Sequence, residues 1–250
     1  MPHIYNLKRE RLDSVKVSFE APDPSVAPSI DLRSKFCPVF DQGQLGSCTA
    51  NALMGVFHFD DLVQTFYGSR LFLYYNERSL DGDVSQDAGS TISQGVNALN
   101  AYGVCSEVSW PYDVSQYTTK PSDACYLEAL QHKAITYYHV TQDQDNMKGC
   151  LLLGNPIALG VTLYPSFESD QVAKDGIVSM PSDDDMSQGP LGGHAIVCCG
   201  YDDNLNGGCW IMRNSWGDSW GDKGYFYLPY AYLTDQNLCS DLWKITKVSD

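Results

Sequence analysis

The 250-residue chain has no Cys-x-x-Cys pair, no apolar run approaching a bilayer span, no internal repeat and few basic side chains. Each absence closes a class of function. Zinc ribbons need paired cysteines at short spacing, so a structural zinc site is not expected. The longest apolar stretches, such as 195–199, fall far short of the roughly 20 residues that span a bilayer, so no transmembrane helix is expected. Residues 1–11 are charged and lack an apolar core of signal-peptide length, so the expectation is either an intracellular protein or one whose upstream signal has been removed. Against 31 Asp and Glu stand 16 Lys and Arg, a formal charge of −15 that repels phosphate backbones and anionic lipid. Nucleic acid and membrane surfaces are therefore poor partners.

What is present reads as a folded chain. Hydrophobic residues make up 43%, with 16 Tyr and 5 Trp. The length suits one large domain or two small ones sharing a cleft. Nine cysteines stand at 37, 48, 105, 125, 150, 198, 199, 209 and 239. Cys198 and Cys199 are adjacent within an apolar run, where buried thiols are commonplace, so reduced structural thiols are expected ahead of a disulfide framework.

Residues 1–28 differ from the rest: a charged stretch, Lys8-Arg9-Glu10-Arg11, precedes Pro22, Pro24 and Pro28, whose spacing fixes extended backbone. This segment reads as an arm. Three- and four-residue apolar spacing predicts a helix over 48–63, with others over 71–80, 92–102 (closed by Gly103) and 123–132. From 135 the pattern turns to strands over 135–141, 156–163, 176–180, 194–200, 209–213 and 225–228, interrupted by a helix over 144–153. The acidic run 182–185 reads as a solvated loop. The expectation is an α+β layout with a helical lobe over 29–134, a β lobe over 135–250 and a cleft between them.

The chemistry concentrates in three short segments. Cys48 follows the Gly-rich run Asp41-Gln42-Gly43-Gln44-Leu45-Gly46-Ser47 and opens a predicted helix. There the helix dipole and orphan N–H groups favour thiolate, and a neighbouring imidazolium favours it further. His194 opens an apolar strand, and Asn214 follows 20 residues later in Asn-Ser-Trp-Gly. Thiol, imidazole and an amide that fixes the imidazole tautomer are the parts of a cysteine-centred acyl-transfer site. Gln42, six residues before the cysteine, can join the Cys48 N–H in an oxyanion hole. Singly, each has an ordinary structural role: a packed thiol, a satisfied histidine, a turn, a surface amide. Independent structural demands do not generate the ordered set. His3, His58, His132 and His139 lack such surroundings and read as structural or exposed.

These segments, with Gly192-Gly193-His194-Ala195 and Trp210 through Phe226, make the chain resemble the papain and cathepsin type cysteine peptidases over about 29–250. The resemblance implies a papain-like two-lobe fold, with a helix-rich left lobe and an antiparallel, β-barrel-like right lobe. It also implies a monomeric endopeptidase acting on polypeptides with no metal or organic cofactor. By resemblance Cys48 is the nucleophile, His194 the acid and base, Asn214 the orienter and Gln42 the oxyanion donor. Gly89 and Gly193 are the glycines whose backbone pairs with an extended peptide. Gly160 and Ala195 shape an apolar S2 pocket, and Trp216 shields the His–Asn bond and lines the primed side. Two positions depart from the family pattern. Leu45 stands where a disulfide-forming cysteine is usual, and Thr49 where an aromatic is usual; both point to a shorter microbial or viral branch in an intracellular or virion-associated setting. The long helical pro-region is missing, so residues 1–28 are read as a minimal inhibitory arm or an uninvolved tail. Rival functions are a peptide-binding pseudoenzyme and an acyl transferase or amidase on the same nucleophile.

Overall fold

The computed structural model describes residues 3–10, 18–19, 27–60 and 66–248. Its strands and helices run in the order β1 (Ser18–Phe19), β2 (Ser29–Asp31), α1 (Cys48–Asp60), α2 (Arg70–Asp81), α3 (Ile92–Ala101), α4 (Asp123–Ala129), β3 (Ala134–Val140), α5 (Gln144–Leu152) and β4 (Ile157–Leu163), followed by α6 (Asp170–Asp175), α7 (Asp183–Gln188), β5 (Gly192–Asp202), β6 (Cys209–Arg213), β7 (Tyr225–Pro229), α8 (Tyr230–Thr234) and β8 (Cys239–Val248). Helices thus dominate to α4 and strands after it. The last residues of the helix expected over 48–63 lie outside the described residues, as do 11–17 and 20–26 of the arm.

Residues 48–59 of α1 are all buried, because the helix is apolar or small on every side and packs between the sheet and α2 and α3. Local chemistry sets the neighbouring helices: the Ser69 hydroxyl accepts from Phe72 N–H to start α2, and Gly82, left-handed at φ 78°, ends it. The sheet runs in the order β1-β3-β8-β4-β5-β6-β7, with β2 also paired to β5. All its pairs are antiparallel except β1 with β3. Two hydrophobic cores result. One gathers Leu159, Ile196, Trp210, Phe226 and Tyr232 around the sheet; the other joins Leu53, Phe57, Leu71 and Leu99 of the helices to Ala195, Val197 and Trp243.

Three expectations change. Residues 176–180 form no strand: Gly176 ends α6 at φ 71°, and Ile177 makes a lone bridge to Tyr227. The run 182–185 is no solvated loop but the start of α7. Asp185 is 4% exposed and accepts from Ser182 N–H and Ser166 N–H, an N-terminal box that an acidic side chain suits. Ser29–Asp31, counted with the helical lobe, pairs with β5 and so leads the chain in along the sheet. Strand β8, which the periodicity did not mark, joins β3 to β4 at the centre of that sheet.

Candidate active site

Cys48 is the first residue of α1, fully buried, and His194 is the third residue of β5, where it faces Val161 of β4 in register. Their elements meet, for α1 packs across β5. Asn214 follows β6 directly. Its Oδ1 lies 2.8 Å from His194 Nε2 and also accepts from Ser215 N–H at 2.8 Å. The second bond identifies Oδ1 as the oxygen, so Nε2 carries the hydrogen and Nδ1 is left as an acceptor. Nδ1 is buried and has no hydrogen-bond partner among the described residues.

Gln42 is equally well held. Its Nε2 donates to Leu45 O at 3.0 Å, its Oε1 accepts from the Ser215 hydroxyl at 2.6 Å, and its carbonyl accepts from the Tyr112 hydroxyl at 3.0 Å. One Nε2 hydrogen stays uncommitted among the described residues. Trp216 lies over His194, ring centroids 5.1 Å apart at 30°, and is backed by Phe167 and Trp220, so the His–Asn bond is covered by aromatic surface.

Burial governs the titration of this pair. It pushes the Cys48 thiol up to about 12, against the Ala195 N–H that favours thiolate and together with Glu77, which disfavours it. It pulls His194 down to about 4, with Asn214 opposing and His3 assisting. Burial thus works against the expected preformed thiolate, because it withholds the water that would solvate either charge.

Residues 3–10 lie against His194 and Trp216. His3 stacks on Trp216 at 3.7 Å, and the Tyr5 ring stands edge-on to both His194 and Trp216 at 6.1 Å while its hydroxyl donates to Glu168. Asn6 bridges to Gly193 in parallel and donates from Nδ2 to Asp87 O at 2.7 Å. Leu7 N–H donates to Gly193 O at 3.1 Å, and Lys8 N–H to Ser90 O at 2.9 Å. Gly89, at φ 65°, is where this backbone comes closest: a Cβ there would collide with the Asn6 carbonyl. At Gly160 a Cβ would lie 2.6 Å from Leu7 Cδ2, so the pocket beside Gly160 and its register partner Ala195 holds Leu7.

The structure thus links His194, Asn214, Gln42 and Trp216 directly or through Ser215, sets Cys48 at the start of the helix packed on the His194 strand, and lines the adjoining groove with Gly89, Gly160, Gly193 and Ala195. Sequence reasoning missed the residues that hold this set. Ser215 stood inside Asn-Ser-Trp-Gly, and Asp87 inside Asp-Ala-Gly-Ser; Asp87 accepts from Gly46 N–H and the Tyr74 hydroxyl, tying the cysteine loop to α2. Glu77 gave no signal: it is fully buried, accepts from the Thr49 hydroxyl at 2.6 Å, and burial pushes its carboxyl up to about 8. All nine cysteines are free, buried thiols. Among the described residues no cluster of His, Cys, Asp and Glu forms a metal site, and no helix is long and apolar enough to cross a membrane.

Comparison with known proteins agrees with this geometry. The family model "Papain family cysteine protease" matches residues 26–240. A peptidase C1-like protein of Acanthamoeba polyphaga mimivirus is 41% identical over 222 residues, 84% of this chain and 70% of that one. Cysteine proteinase 3 of Entamoeba histolytica is 30% identical over 238 residues, 92% of this chain and 69% of that one. Among solved structures, xylellain, a cysteine protease from Xylella fastidiosa, superposes with TM-score 0.87 at 35% identity, covering 97% of this chain and 96% of that one. Procathepsin L 3 of Tenebrio molitor shares the fold at TM-score 0.71 and 21% identity. The chain belongs to the papain family of cysteine proteases, hydrolases that cleave polypeptides.

Proposed function

We propose that the chain is an endopeptidase in which Cys48 attacks the scissile carbonyl and residues 3–10, part of an N-terminal arm over 1–28, hold the enzyme off until they leave the cleft. The observation that carries the catalytic part is the doubly held Asn214 Oδ1, which leaves His194 Nδ1 as the bare base. The thiol proton passes to Nδ1 and the sulfur adds to the carbonyl carbon. The resulting oxyanion accepts from Cys48 N–H and from the uncommitted Gln42 hydrogen. The imidazolium then returns its proton to the leaving amine as the C–N bond breaks. Water, deprotonated by the same Nδ1, releases the acyl group from sulfur. Asn214, being neutral, orients the ring without a buried counter-charge.

The arm's direction supports the inhibitory part. Acyl-side residues of a substrate pair with Gly89 and Gly193, and the leaving side crosses Trp216, so a substrate runs from Gly89 toward Trp216. The arm runs the other way, from His3 on Trp216 to Lys8 at Ser90. It fills the pockets without presenting a peptide bond in the attack direction.

Labelling with an epoxide or vinyl-sulfone peptide tests the reading. The full chain carrying Tyr5→Ala and Leu7→Ser should take up one label at Cys48, lost on Cys48→Ala, and should take it up faster than the unaltered chain. No label at any pH from acid to neutral overturns the peptidase mechanism; equal labelling with and without the arm changes overturns the inhibitory role.

A further inference from the structure

Next to the Leu7 pocket, one residue further from Cys48, the groove holds a cation. Lys8 Nζ lies 2.8 Å from Asp83 Oδ2 and 3.4 Å from Asp81 Oδ2. Asp81 is the last residue of α2, where the helix dipole adds negative potential, and Gln94 Nε2 donates to its other oxygen at 2.7 Å, fixing the carboxylate. The loop carrying Asp83 is held by Arg78, which is fully buried and donates to Val84 O at 3.0 Å and Gln86 O at 2.8 Å. Arg78 is thereby bonded to backbone carbonyls and makes no ion pair with the two carboxylates among the described residues. Around Lys8 lies an open recess of about 500 Å³, lined by Asp81, Asp83, Thr91, Ser93 and Gln94 together with residues 8–10 of the arm itself. It has room for a side chain longer than lysine, and three hydrogen-bonding side chains accompany the two acids.

We infer that Asp81 and Asp83 form a specificity site selecting Lys or Arg at the third residue before the scissile bond. The inference rests on the endopeptidase reading, which puts the Gly160 and Ala195 pocket at the second residue and hence this recess at the third. Lys8 N–H bonds to Ser90 O on the same edge that a substrate would use, so the pocket is met by a side chain leaving the backbone at that point. The arm's reversed direction does not matter to a recess that recognises an ammonium by charge. Both carboxylates are partly exposed, so the selection is modest and salt-dependent.

The test uses the full chain with Tyr5→Ala and Lys8→Ser, which loosen the arm and vacate the recess. Three fluorogenic peptide amides share Leu at the second residue before the cleaved bond and differ only at the third, carrying Lys, norleucine or Glu. The expected kcat/KM order is Lys, norleucine, Glu, with Lys above norleucine by about 3- to 10-fold at low salt. Asp81→Asn with Asp83→Asn should bring the Lys to norleucine ratio near one, as should high salt. Equal rates for Lys and norleucine in an enzyme that cleaves all three overturn the site and leave the peptidase reading standing. Absence of both turnover and epoxide labelling at Cys48 overturns the reading and the site with it.

Discussion

Loosening the arm should make Cys48 the fastest-reacting thiol in the chain. Burial holds its thiol up at about 12, against an ordinary value of 9.0. At pH 7 that leaves a thiolate fraction of about 10⁻⁵, where an ordinary solvated thiol has about 10⁻². The three-unit difference corresponds to about 4 kcal/mol of lost solvation for the charged sulfur. Once water reaches the sulfur at the helix N-terminus, this penalty goes, so alkylation accelerates by at least about 10³-fold in the uncovered state. Tyr5 and Leu7 are half-buried anchors of the arm, and each contributes about 1–2 kcal/mol by burial. Tyr5→Ala with Leu7→Ser should therefore raise the uncovered population by one to two orders of magnitude or more. The assay is iodoacetamide modification at pH 7, followed by peptide mass spectrometry on the unaltered and altered full chains. The other eight cysteines are buried in both and act as internal references. Equal Cys48 rates in the two chains would refute the claim that the arm suppresses ionisation.

Gln42→Ala should lower kcat by about 10²–10³-fold with a small change in KM, because it removes a donor used only when the oxyanion forms; steady-state kinetics on the arm-loosened chain checks this. His194, lowered to about 4 from 6.5, is neutral in the covered and uncovered states alike above pH 6.5. Below that the uncovered state binds a proton that the covered state refuses, so covering weakens as pH falls from 6.5 to 4, by up to about 3 kcal/mol, and amide hydrogen exchange of residues 3–10, corrected for its intrinsic pH dependence, should speed up in that window. Glu77 is raised to about 8 from 4.5, so the folded state keeps a proton that the unfolded chain releases, and stability falls as pH rises from 4.5 through 8. Glu77→Gln should raise the melting temperature at pH 8 to 9, by the equivalent of a few kcal/mol, and leave it little changed at pH 4. Thermal scans at the two pH values check the sign.

The candidate set was proposed from the sequence because its members carry chemistry in short motifs whose order survives without any knowledge of the sheet. The helices α1, α2 and α3 were legible because apolar spacing and their caps agree, as at Ser69 and Gly82. Strand β8 was not, because it is central, mixes Lys244 and Asp241 with apolar residues, and so shows no clean alternation. Asp185 misled for the opposite reason: an acidic run looks solvated, yet one carboxylate turned inward can satisfy backbone N–H groups that no apolar residue could. Glu77 and Thr49 lie 28 residues apart and meet only through the packing of α1 on α2. The composition break before Ser29 marked the arm, but only the structure shows which of its residues reach the cleft.

The arm also rejoins the body after it leaves the cleft, through Ser18–Phe19 along β3 and Ser29–Asp31 along β5. On the proposed inhibitory reading, residues 3–10 act as a tethered ligand, present at one equivalent per enzyme and at an effective concentration on the order of millimolar. Dilution does not remove such a ligand, and its release and return are first-order events. A free peptide must reach millimolar levels to compete with an arm of equal intrinsic affinity, whereas any event that weakens the arm a hundredfold acts at every enzyme concentration alike.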